Sequence, residues 1–236
     1  MGLTQKALGL LIRYSNAWIS CIERATRSPT YDFATKCDEH LGIGGTLELM
    51  WWGLKHTGLI EGFPEYAALE AKAVRIRLFK LGVGPGLLQT AEYAATIAAA
   101  EVKRGSITQG QADERLAFLS ARQALLTRTP SPLVHAVLCE SSLRPLGGRG
   151  VMARQFDHLE VLAARPGVTL QVAPWNIGET RPFDLPVTLL TLPDRSVVGY
   201  TETLNRGFLE RDIDTVSGWL RDYDALQVEA LARLHP

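Results

Sequence analysis

Glu140, Arg144, Trp175, Phe183, Tyr200 and Glu202 bring carboxylates, a guanidinium and aromatic rings to places where polar residues interrupt the ends of apolar stretches. Glu140 and Arg144 directly follow one expected strand, Trp175 and Asn176 follow a second, and Glu202 ends the last, with Phe183 and Tyr200 nearby. Open sheets with parallel strands place ligands outside the carboxyl ends of those strands. Gathered there, the six residues would bind a small molecule by charge and stacking. The blander alternative is that Glu140 and Arg144 simply pair. Gly147-Gly148-Arg149-Gly150 opens a helix just beyond and offers backbone donors to an anion, or else only a turn.

Catalytic patterns are poorer. There is no G-x-S-x-G elbow, and Ser141-Ser142 lacks the flanking glycines that such a turn needs. His158-Leu159-Glu160 matches the first half of a zinc-deaminase signature, but no P-C-x-x-C follows it. His40, His56, His135 and His235 are scattered. Gly82-Val83-Gly84-Pro85-Gly86 is glycine-rich enough to approach a phosphate, yet Pro85 removes a backbone donor, so a tight connection is the better reading. No catalytic residue, cofactor or metal is expected from these residues, and enzymatic activity stays an open question.

The elements that must position them are legible. Val74, Ile76, Leu78 and Leu81 alternate with Arg75, Arg77 and Lys80 at the period of a half-buried extended segment, which the glycine cluster then stops. Thr108 and Gln111 form a capping-box pair ahead of a helix to Arg128, with Ala112, Leu116, Leu119 and Leu126 as its stripe and Pro130 as its stop. Strands at Leu133–Cys139 and Val168–Ala173 flank a helix at Val151–Ala164, an order that makes them parallel with a right-handed crossover. Leu185–Leu192 and Ser196–Glu202 read as a hairpin, and Asp212–Leu234 as a last helix with Ile213, Val216, Trp219, Leu220, Tyr223, Leu226 and Leu231 on one broad face.

The first 60 residues read as short helices. Thr4-Gln5 opens one, Ser15-Asn16 a second, Pro29 a third that ends at Gly42, and Thr46 to His56 forms a fourth. The first has two apolar faces, Leu8, Leu11 and Ile12 on one and Leu3, Ala7, Leu10 and Tyr14 on the other, so it should be buried nearly all round, by a second subunit or by the rest of the chain. The expected fold is therefore α+β: an all-helical unit over 1–60, a connecting segment over 61–95 and an α/β domain over 96–236 with a mixed sheet.

Composition agrees with a globular protein of one large or two small domains, 46% hydrophobic and 21% charged in 236 residues. Twenty-five basic residues balance twenty-five acidic ones, so a nucleic-acid site must be local. Three cysteines, far apart and without C-x-x-C spacing, read as reduced and cytosolic. No apolar run is long enough to cross a bilayer, so a cytoplasmic location without membrane partners is expected.

RIRLF with VGPGLLQTAEYA resembles a motif that opens the C-terminal domain of actinobacterial regulators, in which a helix-turn-helix of the xenobiotic-response-element type precedes a domain of uncharacterised function. ERLAFLSARQALLTR, AVLCESSLRPLGGRGVM, HLEVLAARPGVTLQVAPW and FDLPVTLLTLPD fit the same family in order, and TQKALGLLIRYSNAWISCIERATRSP resembles its helix-turn-helix. The resemblance implies that Asn16, Ala17 and Trp18 face base edges, with Gln5, Ser20 and Arg24 near phosphates or flanking bases. Asn and Gln suit adenine, and Arg suits phosphate. It further implies a homodimer and a small antagonist protein.

Departures are plain. The family's arginine-rich first helix is missing ahead of Leu3, the usual turn glycine is Arg13, and Leu10, Leu11, Trp18 and Cys21 replace polar or basic positions. Over residues 1–60, six Lys or Arg stand against five Asp or Glu, so DNA binding should be weak or lost. Two functions follow: a DNA-binding regulator that senses a small molecule or protein, or a regulator-derived protein that binds or converts a small metabolite in a biosynthetic pathway of secondary metabolism. An in-frame arginine-rich helix encoded ahead of Met1 would favour the first.

Overall fold

The computed structural model describes residues 3–55, 59–204 and 206–231. Helices α1 (Gln5–Ile12), α2 (Asn16–Glu23), α3 (Tyr31–Leu41) and α4 (Thr46–Lys55) come first. His56 and the last residues of the expected final helix, with His235, lie outside the described residues. Hydroxyl oxygens open the first three helices: Thr4 accepts from the Ala7 N–H, Ser15 from Trp18 and Thr30 from Phe33. Each satisfies a donor that has no partner inside its helix. The third helix therefore starts after Thr30 rather than at Pro29, because the threonine oxygen caps and proline has none to offer.

Between α1 and α2 the chain turns in three residues. Arg13 takes the left-handed conformation at φ 58° and ψ 47°, a region that favours glycine. Gly9 allows the close approach that follows, since a β-carbon there would sit 2.6 Å from the Tyr14 carbonyl oxygen. Ile12, Ile19, Phe33 and Cys37 close a small core between these helices. On α1 the rest of the chain does not supply the burial expected for the second face: Leu10 is 76% exposed, and Leu3 and Leu11 are also open. Within one chain the C-terminal unit does not cover that side.

The rest alternates helix and strand: α5 (Phe63–Glu70), β1 (Arg75–Lys80), α6 (Ala91–Lys103), α7 (Gln109–Gln123), β2 (Leu133–Cys139), α8 (Gly148–Ala163), β3 (Val168–Ala173), β4 (Val187–Thr191), β5 (Val197–Glu202), β6 (Gly207–Glu210) and α9 (Ile213–Glu229). The strands form one mixed sheet in the order β3-β2-β1-β4-β5-β6, with β1, β2 and β3 parallel and the remaining neighbours antiparallel. The fold is α+β. β1 is a central strand, which corrects its placement in a connecting segment over 61–95: its partners, β2 and β4, lie far along the chain.

Alternation gives the sheet two faces. Ile76, Leu78, Ala136, Leu138, Leu170, Leu190 and Tyr200 point one way, against Tyr66 of α5, Leu87-Leu88 and Leu159 and Leu162 of α8. Phe79, Val137, Ala173 and Leu189 point the other way, against Val216, Tyr223 and Leu226 of α9. Ile213 and Leu231, expected inward on that helix, are exposed: Ile213 is its first residue, and Leu231 lies past its end at Glu229, where its N–H donates to the Val172 carbonyl at 2.8 Å. α7 carries its capping box as expected, but buries Ala112, Phe118 and Arg122 more deeply than Leu116 or Leu119. Phe118 joins Leu49, Ala67 and Ala71 in a cluster that ties the N-terminal helices to the sheet unit. No described helix is long and apolar enough to cross a membrane.

Candidate functional site

Because β1, β2 and β3 are parallel, their carboxyl ends share one edge. Gly82, Glu140, Ser141, Leu143, Arg144 and Trp175, which follow those three ends, line an open recess of about 540 Å³. The Glu140 carboxylate accepts the Trp175 backbone N–H at 2.9 Å, and the Ser141 hydroxyl accepts from Gly82 N–H at 3.1 Å. These bonds cross-link the three strand ends. Glu140 is thus occupied by backbone rather than by Arg144, so the simple ion pair is not how the structure uses it. Arg144 is exposed, and Trp175 is 63% exposed, a large hydrophobic residue left open beside a cation. An indole face and a guanidinium together suit a planar ligand that carries negative charge.

Three expected members are elsewhere. Phe183 is buried beneath α9, its ring 6.0 Å from Phe79 on the other face of the sheet. Tyr200 is buried on the opposite face and stacks on Tyr66, with ring centroids 3.9 Å apart. Glu202 does end β5 at the carboxyl edge, but two strands away from β1, where it pairs with Lys80 and accepts from the Tyr200 hydroxyl at 3.2 Å. Burial pushes its carboxyl up, yet Lys80 beside it and Arg122 beyond outweigh that and hold it below the usual carboxylate range. Burial, then the Glu202 charge, pushes the Tyr200 hydroxyl well up.

Behind Tyr200 lies a buried ionic cluster that the sequence reading missed. Glu70, fully buried, accepts from the Tyr66 hydroxyl and from Nε and Nη2 of Arg122, the latter at 3.1 Å. The Arg122 guanidinium also lies over the Phe63 and Tyr66 rings, at 5.1 and 5.7 Å. Phe63, Tyr66, Ala67 and Glu70 share one stripe of α5, so a carboxylate on an otherwise apolar stripe was the available signal. Gly147, which opens α8 with φ 69°, packs so close to Thr96 that a β-carbon would lie 2.9 Å from its methyl.

At the N-terminal helices, Asn16 and Ala17 are exposed in the first turn of α2. Trp18 is half-buried instead: its ring packs 5.8 Å from Tyr14 and is covered by the Arg27 guanidinium, 3.7 Å from its centroid. Gln5 donates to Glu23, and Arg24 turns back to donate to the Ser20 carbonyl at 3.1 Å. Ser20 is half-buried. Among the described residues of α1, α2 and the turns beside them, Lys6, Arg13, Arg24 and Arg27 are exposed cations.

Residues 63–235 match a family described as a domain of unknown function, DUF5753. No curated protein and no solved structure matches the chain. The match takes in α5 to α9 and all six described strands, so the recess at Trp175 and the ionic cluster at Glu70 both lie inside it. With well over half of its length matched, the chain belongs to the DUF5753 family.

Proposed function

We propose that the protein is a DNA-binding transcriptional regulator of the helix-turn-helix, xenobiotic-response-element type, whose C-terminal domain senses a small molecule at the Glu140, Arg144 and Trp175 recess. The observation that carries this is α2: Ser15 caps it, Ile19 anchors it in the core, and Asn16 and Ala17 stand exposed in its first turn. Helices of this kind enter the major groove with their N-terminal residues at base edges. Lys6, Arg13, Arg24 and Arg27 supply the phosphate contacts, few enough that binding is weak and its salt dependence shallow beside that of proteins making about six to ten such contacts. A homodimer in the cytoplasm, with a small antagonist protein, belongs to the same reading.

Its test is a binding titration with the DNA upstream of its own gene at low salt. Asn16→Ala should cost about 1–3 kcal/mol at one base position, and Arg24→Ala should weaken all sequences and lower the salt slope by about 1. Folded protein that shifts no upstream fragment refutes the reading.

A second reading, a regulator-derived protein that binds or converts a small metabolite, is favoured by the open leucines of α1 and by Trp18 folded under Arg27. It requires no DNA binding together with ligand-dependent thermal stabilisation that Trp175→Ala abolishes.

A further inference from the structure

We propose a second binding site, for a small molecule bearing a carboxylate or phosphate, at the amino ends of β1, β2 and β3, on the sheet face that α9 covers only in part. Pairing register aligns Arg77 with His135 and His135 with Thr169 in one row across the three strands. Arg75 lies one row outward on the same face and Gln171 one row inward. With Gln227 of α9 these residues line an open recess of about 460 Å³.

The position makes the two arginines unusual. Parallel strands in the middle of a sheet are normally apolar on both faces. β1 obeys this on one face, where Ile76 and Leu78 are buried, and on the other at Phe79 under α9. Its first half instead carries guanidiniums at alternate residues, roughly 6.5 Å apart along the strand. The Arg77 side chain is 22% exposed, and its one carboxylate neighbour among the described residues is Asp224, at 3.6 Å. That is beyond hydrogen-bond reach, and Asp224 is itself 62% exposed, so water dilutes the attraction. Arg75 is exposed on the same face with no ion pair among the described residues. Among the described residues, two guanidiniums with one distant carboxylate make a positive recess rich in N–H donors.

Its floor is fixed before any ligand arrives. His135 Nε2 lies 2.7 Å from the Gln171 side-chain oxygen, while the Gln171 amide donates to the Leu231 carbonyl at 3.2 Å. The Tyr223 hydroxyl donates to the His135 carbonyl at 2.9 Å, and its ring meets the imidazole edge-on at 5.5 Å. Fixed polar groups bind with less ordering cost than mobile ones. Guanidinium forks match the paired oxygens of carboxylates and phosphates. The site sits at the opposite ends of the strands from Trp175 and does not rest on the regulator reading.

An NMR titration of the full chain with inorganic phosphate and, separately, with citrate tests this, at fixed ionic strength and with sodium chloride as control. The expected result is saturable shifts of backbone amides at 75–77, 133–135 and 169–171 with at least one probe, and the better probe identifies phosphate or carboxylate. Arg75→Gln, a change at an exposed residue, should weaken binding by about tenfold or more, as loss of a charge-assisted fork requires. Trp175→Ala should leave it unchanged. Shifts that do not saturate, that fall elsewhere, or that persist with equal affinity in Arg75→Gln would overturn the proposal.

Discussion

Removing Arg122 alone should cost the protein a large fraction of its stability, whereas removing Arg122 and Glu70 together should not. Glu70 has no exposed surface and Arg122 is 9% exposed, so neither charge is solvated except by the other and by the Tyr66 hydroxyl. Two opposite charges about 4 Å apart attract by about 4 kcal/mol at an effective dielectric of about 20, against a desolvation penalty of several kcal/mol for each ion. Attraction alone does not repay that penalty, and the hydrogen bonds to Glu70 from Arg122 and from the Tyr66 hydroxyl bring the pair as a whole near balance. Breaking it is another matter: Arg122→Met strands the Glu70 carboxylate in the core, a change that costs about 3–5 kcal/mol. Total stabilities run at about 5–15 kcal/mol, so this is a large fraction. The double variant Glu70→Leu with Arg122→Met fills the same space with apolar atoms and should recover most of the loss. Urea unfolding of the four proteins in the cycle, followed by tryptophan fluorescence, measures the coupling. Arg122→Met at a cost below about 1 kcal/mol would refute the reasoning, since it would mean that water reaches Glu70 and the charge was never stranded.

Other consequences are narrower. Arg13→Gly relieves a left-handed arginine at φ 58° and should stabilise the N-terminal helices by about 0.5–1 kcal/mol, read as a rise in melting temperature; a fall would mean that the arginine side chain makes a contact worth more than its strain. Leu10→Arg, at a residue 76% exposed, should change stability by no more than about 0.5 kcal/mol. A drop of several degrees, with a smaller mass by sizing, would instead place Leu10 beneath a second copy. Glu202 is held below its ordinary value of 4.5, so its pairing with Lys80 stabilises the fold above that pH and fades as pH falls through the lowered value. Melting temperatures taken from about pH 5 downward should therefore drop in the native protein and drop less in Lys80→Met; equal slopes would exclude this pair as the cause.

Local rules were readable wherever one short stretch contained the whole cause. Thr108 and Gln111 satisfy each other's helix start within four residues, and the bounds of β2 and β3 follow from runs of apolar residues closed by turn residues. The βαβ unit that joins them fixed their parallel pairing, because the intervening helix carries the chain back to begin the second strand in the same direction. Convergence of Glu140, Arg144 and Trp175 followed from that polarity alone, because parallel strands end on one edge.

What the sequence left open depended on lateral order and on face. β1 alternates like any half-buried strand, and only pairing with β2 and β4 makes it central rather than a linker. Glu202 shares the carboxyl edge with Trp175, yet the order β3-β2-β1-β4-β5 sets it two strands beyond β1, beside Lys80. Tyr200 and Phe183 are near each other in sequence, but the pleat and the return of the chain put them on opposite faces, in separate cores. Glu70 and Arg122 are 52 residues apart, so their cluster could not be read from either helix alone. Sequence periodicity decides which side chains share a face within one element. Tertiary packing decides which elements share that space, because the free energy that selects it comes from burial between residues far apart in the chain.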